Sequence, residues 1–185
     1  MMMSSTNNLL ALMCLEKKLI AFEQISVLKK KLNSQEKVIK AFEKKNISIE
    51  VLNLSTSTKT SQEAADAVGC NLAQIAKSII FCETSEKKLI QVFVSGPNKV
   101  NIELFQKQTS LFIEKADANF VRENSGFAIG GVAPLGHIKP PLYFIDQTLL
   151  QFDEVWCAAG TPSSLFKIKT IELIKATEPF VISVC

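Results

Sequence analysis

Residues 126–141 must turn tightly and do not read as helix or strand. The stretch, GFAIGGVAPLGHIKPP, holds four of the chain's seven glycines, three of its six prolines and its only histidine. Gly130-Gly131 permits positive φ and close approach of a ligand to main-chain amides. Pro134 stiffens the turn, and Pro140-Pro141 ends the segment in extended form. Such a loop either presents N–H groups to a carbonyl or phosphate oxygen or lets a strand bend. Composition leaves both open.

A nucleotide loop is the first chemistry to test. Gly131 to Gly136 has the GxxxxG spacing of a Walker A loop, but His137 and Ile138 stand where Lys and Ser/Thr are needed. The lysine for phosphate and the hydroxyl for magnesium are both missing, and no GxGxxG occurs. ATPase and dinucleotide chemistry are thereby excluded. His137 is the only imidazole, so it cannot build a multi-histidine metal site. No GxSxG elbow supports a Ser-His-Asp hydrolase. Cys14, Cys70, Cys82, Cys157 and Cys185 are odd in number and form no CxxC pair, poor material for disulfides or zinc.

The chain has 185 residues, of which 47% are hydrophobic and 21% charged. That is enough for one domain with a sizeable core plus an extension. The longest early apolar run, Leu9–Leu15, is far short of the roughly 20 residues that span a bilayer. No basic residue precedes it and Glu16-Lys17-Lys18 follows, so it lacks the form of a signal peptide. A soluble, cytoplasmic protein is expected. Net charge is only +3, yet nine lysines (17, 18, 29, 30, 31, 37, 40, 44 and 45) face four glutamates between Glu16 and Lys45. That basic N-terminal face suits phosphates, and a solvated helix face would show the same charge.

Residues 1–32 read as a helical extension and 33–185 as the body. A helical pattern begins at Ser34, with Val38, Ile39, Ala41 and Phe42 on its apolar side, and stops near Asn46. Ile47–Leu54 alternates like a strand. Thr60-Ser61-Gln62-Glu63 is a capping box whose helix ends at Gly69. Asn71 caps a short helix over Leu72–Ala76. SIIFCET and KLIQVFVS read as two strands. Asn101 and Asp117 cap two further helices, PLYFID, EVWCAAG and SLFKIK are β-like, and Thr170 caps a last helix. Short strands and helices alternate without a βαβ period, which predicts an α+β fold, a mixed β-barrel or sheet surrounded by short helices. Lys77 stands alone in the apolar run QIAKSIIF, where it either meets solvent or points into a polar pocket.

TSQEAADAVGCNLAQIAKSIIF, then SGFAIGGVAPLGH, then WCAAGTP together resemble the YbaK/ProX family of aminoacyl-tRNA deacylases, the domain that also sits as an editing insertion in bacterial prolyl-tRNA synthetases. The resemblance covers roughly residues 34–180. It implies a mixed β-barrel flanked by helices, a mischarged tRNA as partner, hydrolysis of the aminoacyl ester, and no metal or other cofactor. An aminoacyl-tRNA synthetase is a further implied partner. The family's functional lysine falls on Lys77, which would position the 3′-terminal adenosine or its phosphate. Its glycine loop falls on Gly130, Gly131, Pro134 and Gly136, with Gly130 and Gly131 holding and polarising the aminoacyl carbonyl. Leu54, His137, Ala158 and Leu165 are implied substrate contacts. In the cysteine-editing branch an aromatic residue stands at Leu54, a serine at Ala158 and an acidic residue at Leu165. Both a cysteinyl ester and an alanyl or other small aminoacyl ester therefore remain open. So does a non-catalytic aminoacyl-tRNA or synthetase-binding module of the same fold.

Overall fold

The computed structural model describes residues 32–55 and 60–185. The predicted helical extension, with Lys29, Lys30 and Lys31, lies outside the described residues.

Local capping chemistry sets most helix starts. Helix α1 (Ser34–Glu43) is capped by Asn33, whose side chain accepts the Glu36 amide while the Glu36 carboxylate accepts the Asn33 amide, both at 2.8 Å. Val38 and Phe42 are its fully buried side chains. The strand expected over 47–54 is reduced to β1 (Val51–Asn53). Ile47 N–H bonds back to the Phe42 carbonyl at 3.1 Å, so the first half of the segment closes the helix instead of joining a sheet.

Helix α2 (Ser61–Val68) carries the predicted box: Thr60 Oγ1 accepts the Glu63 amide at 3.2 Å, and the Glu63 carboxylate accepts the Thr60 amide at 3.0 Å. Gly69 ends the helix in the left-handed region, φ 68°. A 3₁₀ turn (Leu72–Gln74), capped by Asn71, leads into β2 (Ala76–Glu83). Then come β3 (Leu89–Ser95), α3 (Ile102–Thr109), β4 (Ile113–Lys115) and α4 (Ala118–Ser125). Beyond the glycine-rich stretch lie β5 (Leu142–Asp146), a second 3₁₀ turn (Gln147–Gln151), β6 (Glu154–Ala158), β7 (Ser164–Lys169), α5 (Thr170–Thr177) and β8 (Phe180–Ile182). Thr170 is the first residue of α5 and does not cap it; its hydroxyl donates to the Phe152 carbonyl.

The strands form a three-stranded sheet, β1-β7-β6, and a five-stranded sheet, β4-β2-β3-β5-β8. β2 and β3 pair antiparallel along seven residues, and β5 joins β3 in parallel. The α+β architecture stands as expected, but the sheets do not close into a barrel among the described residues. One isolated bridge, Ile75 to Trp156, links them. Because side chains alternate along a strand, β2 and β3 serve two cores. One face packs Ala76, Ile80 and Phe93 against Val155, Cys157 and Phe166 of the small sheet, with Val38 and Phe42 of α1. The other face packs Phe81, Ile90, Val92 and Val94 beneath Phe105 of α3. β4 covers β2 only over Phe81–Glu83. The first half of β2 therefore has a strand partner on one side only.

No helix among the described residues is long and apolar enough to cross a membrane.

Candidate active site

A pocket of about 260 Å³ opens at that uncovered half of β2. Ile75 to Ile79 form its floor. Thr60, Ser61 and Ala64 at the start of α2 form one wall, Ile129, Gly130 and Val132 a second, and Ala158 with Leu165 a third. Pockets for drug-sized ligands run to about 300–1,000 Å³, so this one suits a small group. A wider, more open groove of about 740 Å³ runs beside Leu150, Phe152, Lys169 and Ile174, and none of the sequence-predicted site residues lines it.

The glycine loop is shaped by two different constraints. Gly131 N–H donates to the Ala128 carbonyl at 3.0 Å, closing a turn. A Cβ on Gly131 would lie 2.7 Å from backbone atoms of Thr161, so this position must be glycine for the loop to lie on the Thr161-Pro162 backbone. The GGVAP and AAGTP stretches, residues 130–134 and 158–162, thus meet here. Gly130, by contrast, is exposed at φ 86°, and among the described residues a Cβ there would meet only Pro162, at 3.8 Å. The amides of Gly130 and Val132 have no hydrogen-bond partner among the described residues. With the amide of Ile129, which also lines the pocket and has no partner among the described residues, they are donors left for a ligand oxygen, while Gly131's is spent on the turn.

Ala158 and Leu165 are direct cross-strand partners, which makes them one continuous apolar wall. Leu54 lies behind it, packed with Ala64, Ile75 and Leu165, and its amide donates to the Ser163 carbonyl at 2.8 Å. Pro134 is buried beyond the loop. Gly136 and His137 lie off the pocket. Gly136 packs on α1, where a Cβ would be 3.2 Å from the Lys37 backbone. The His137 ring sits edge-on to Phe127 at 5.4 Å and near Tyr143 at 6.2 Å. Both of its nitrogens are buried without a partner among the described residues, and burial pushes its pKa down to about 4, so the ring is neutral.

Lys77 lines the pocket, but its ammonium donates to the Asn98 carbonyl. Asn98 is held in turn by its side-chain amide, which donates to Thr148 Oγ1 at 3.0 Å, and Thr148 is held by buried Asp146. Burial, with help from nearby Lys99, lowers the Lys77 pKa. Ser78, which the sequence reading passed over, lines the pocket as well. Lys77 and Ser78 leave β2 on opposite faces, so they do not form a Ser–Lys nucleophile pair. Among the described residues no carboxylate, thiol or imidazole lines the pocket. The arrangement offers amide and hydroxyl donors, the positive end of α2, a lysine at the rim and an apolar wall. It can bind and polarise a small carbonyl compound for attack by water.

These features define a class: a small α+β domain whose pocket is built around backbone donors. The chain belongs to the aminoacyl-tRNA editing domain family, whose profile matches residues 55–176. It is 29% identical over 124 residues to the uncharacterized protein YwhH of Bacillus subtilis (strain 168), spanning 67% of this chain and 78% of YwhH. A solved structure described provisionally as a trans-editing enzyme for prolyl tRNA synthetase superposes with a TM-score of 0.77 at 36% identity, covering 84% of this chain and 98% of that one. The hypothetical protein APE2540 follows with a TM-score of 0.74 at 26% identity, covering 80% and 99%.

Proposed function

We propose that the chain is a trans-acting deacylase that hydrolyses the ester of a tRNA charged with the wrong, small amino acid. The observation that carries this reading is the set of loop amides without a partner among the described residues, those of Gly130 and Val132 foremost, in a small pocket that Ala158 and Leu165 also line. The ester carbonyl accepts from the two amides. Water adds to the carbonyl carbon, and negative charge grows on the oxygen those amides hold. The carbonyl re-forms, the ribose oxygen leaves with a proton, and free amino acid and uncharged tRNA result. With no side-chain base lining the pocket among the described residues, the neighbouring ribose hydroxyl of the substrate assists the water. Lys77 gives up the Asn98 carbonyl to take the 3′-terminal phosphate or adenosine.

The apolar Ala158–Leu165 wall favours an alanyl ester over a seryl one. A hydroxyl placed against it loses water without a replacement partner, at a cost of about 1–3 kcal/mol. Likeness to a protein described as a trans-editing enzyme for prolyl tRNA synthetase supports tRNA-Pro as the body and that synthetase as a partner, and such a substrate goes with work in the cytoplasm. The engagement of the Lys77 ammonium by Asn98 favours a second reading, a module that binds aminoacyl-tRNA without cleaving it. Incubating the protein with tRNA-Pro carrying alanine, cysteine, serine or proline separates them. Rapid loss of alanine, with proline spared, is the expected result. Binding with no loss of any amino acid establishes the second reading.

A further inference from the structure

Gln91 is wholly buried in the middle of β3, on the same face as Ser78 and the glycine-rich stretch. Its Nε2 donates to Ser78 Oγ at 2.9 Å and to the Ala133 carbonyl at 3.2 Å. Its Oε1 is buried with no partner among the described residues. Burying an amide with one end unsatisfied is costly, and an apolar side chain of similar size avoids that cost. The orientation of the amide follows from Ala133. A carbonyl oxygen only accepts, so the Gln91 atom facing it is nitrogen. The same nitrogen then meets Ser78, whose oxygen becomes the acceptor. A hydroxyl whose oxygen already accepts still has its proton to give, and Ser78 lines the pocket.

We infer that Gln91 is a positioning residue: it holds the Ser78 hydroxyl as a donor into the pocket and ties the strand that carries Lys77 to the loop that carries Gly130 and Val132. The acceptor is the carbonyl oxygen of the bound aminoacyl ester, so the inference rests on the deacylase reading. Ser78 is then a third donor beside the two amides. Its bond strengthens as charge grows on that oxygen, which places the benefit in kcat more than in KM.

Gln91→Glu tests this with little change of volume. In either protonation state a carboxyl oxygen faces Ser78 and draws its proton inward, away from substrate. Ser78→Ala removes the donor outright. Each is expected to lower kcat on alanyl-tRNA about tenfold to a hundredfold, with KM little changed. The double variant is expected to be no slower than Ser78→Ala alone, because Gln91 acts through Ser78. Gln91→Met, an apolar shape mimic, is expected to lose less, and to lose nothing further when Ser78 is already alanine. Thermal melts establish that each variant is folded at the assay temperature, and Gln91→Met carries the comparison if Gln91→Glu does not fold. Losses that multiply in the double variant, or full activity of Gln91→Glu, overturn the inference. A wild-type protein that cleaves no aminoacyl-tRNA overturns the deacylase reading and this inference with it. An active wild type with multiplying losses overturns this inference alone.

Discussion

The two ends of the glycine-rich stretch use the same residue in the same backbone region for different work. Gly130 and Gly136 both have positive φ, 86° and 95°. At Gly130 an added Cβ meets nothing among the described residues closer than Pro162 at 3.8 Å, and Ile129 beside it is 59% exposed. At Gly136 the Cβ would press on the backbone of α1 at 3.2 Å, and His137 beside it has both ring nitrogens buried. The open end faces space the size of a small ligand, and the closed end joins the stretch to the core. A glycine motif specifies backbone shape. Its neighbours in space decide whether that shape serves a ligand or a packing contact.

The closed end offers the largest way to break this contrast. His137 is neutral when folded, with a pKa held near 4 against a usual 6.5. The unfolded chain takes up a proton below pH 6.5 and the folded chain does not. The stability linked to His137 is therefore complete above pH 6.5, declines as pH falls toward 4, and declines no further below that, amounting to roughly 3 kcal/mol in all. Denaturant titrations at pH 7 and pH 4.5 measure it. His137→Phe should flatten the difference by most of that amount while leaving deacylation near wild type. An unchanged slope, or a collapse of activity, would move His137 into the site.

At the open end the matching change is Lys77→Ala. Deacylation should fall about a hundredfold or more, roughly 2.7 kcal/mol, in a protein that still melts cooperatively. Undiminished turnover removes Lys77 from the mechanism. Next comes the glycine pair itself. Gly131→Ala forces a Cβ to 2.7 Å from the Thr161 backbone and should cost about 1–3 kcal/mol of stability. Gly130→Ala bears only left-handed strain, about 1–2 kcal/mol, and has room for its methyl group. Denaturation midpoints that rank Gly130→Ala as the more damaging would contradict the assignment of the two positions. The smallest effect is on selectivity. Ala158→Ser gives the apolar wall a hydroxyl and should narrow the preference for alanyl over seryl ester by about 1 kcal/mol, read from the ratio of kcat/KM values.

What the sequence made legible was local. Thr60 with Glu63, Asn71, Asn101, Asp117 and the left-handed Gly69 all act within a few residues, and each performs as the capping pattern predicts. Thr170 misleads because its hydroxyl finds a distant carbonyl, that of Phe152, in place of an amide in its own helix. β4 and β8 have three residues each and leave no alternation to read. Ile47–Leu54 has the alternation of a strand but only half of it finds a partner. In the site, the motifs named Lys77, Gly130, Ala158 and Leu165, and the fold brings those four to one pocket. Spacing could not reveal that Gly131 serves a turn, that Gly136 serves α1, or that Gln91 reaches Ser78 and Ala133 across the sheet. Those are facts of tertiary approach. A polar residue inside the otherwise apolar run LIQVFV was the one available sign of Gln91.

The central claim is that the ester binds at the open end of the stretch. A stable mimic, adenosine bearing alanine through a 3′-amide, tests it by amide chemical-shift mapping on the whole chain. Saturating shifts at Ser78, Gly130, Val132, Ala158 and Leu165, with Gly136 and His137 unmoved, are the result this account predicts. Shifts centred on Gly136 and His137, or along the groove beside Leu150 and Lys169, would contradict it.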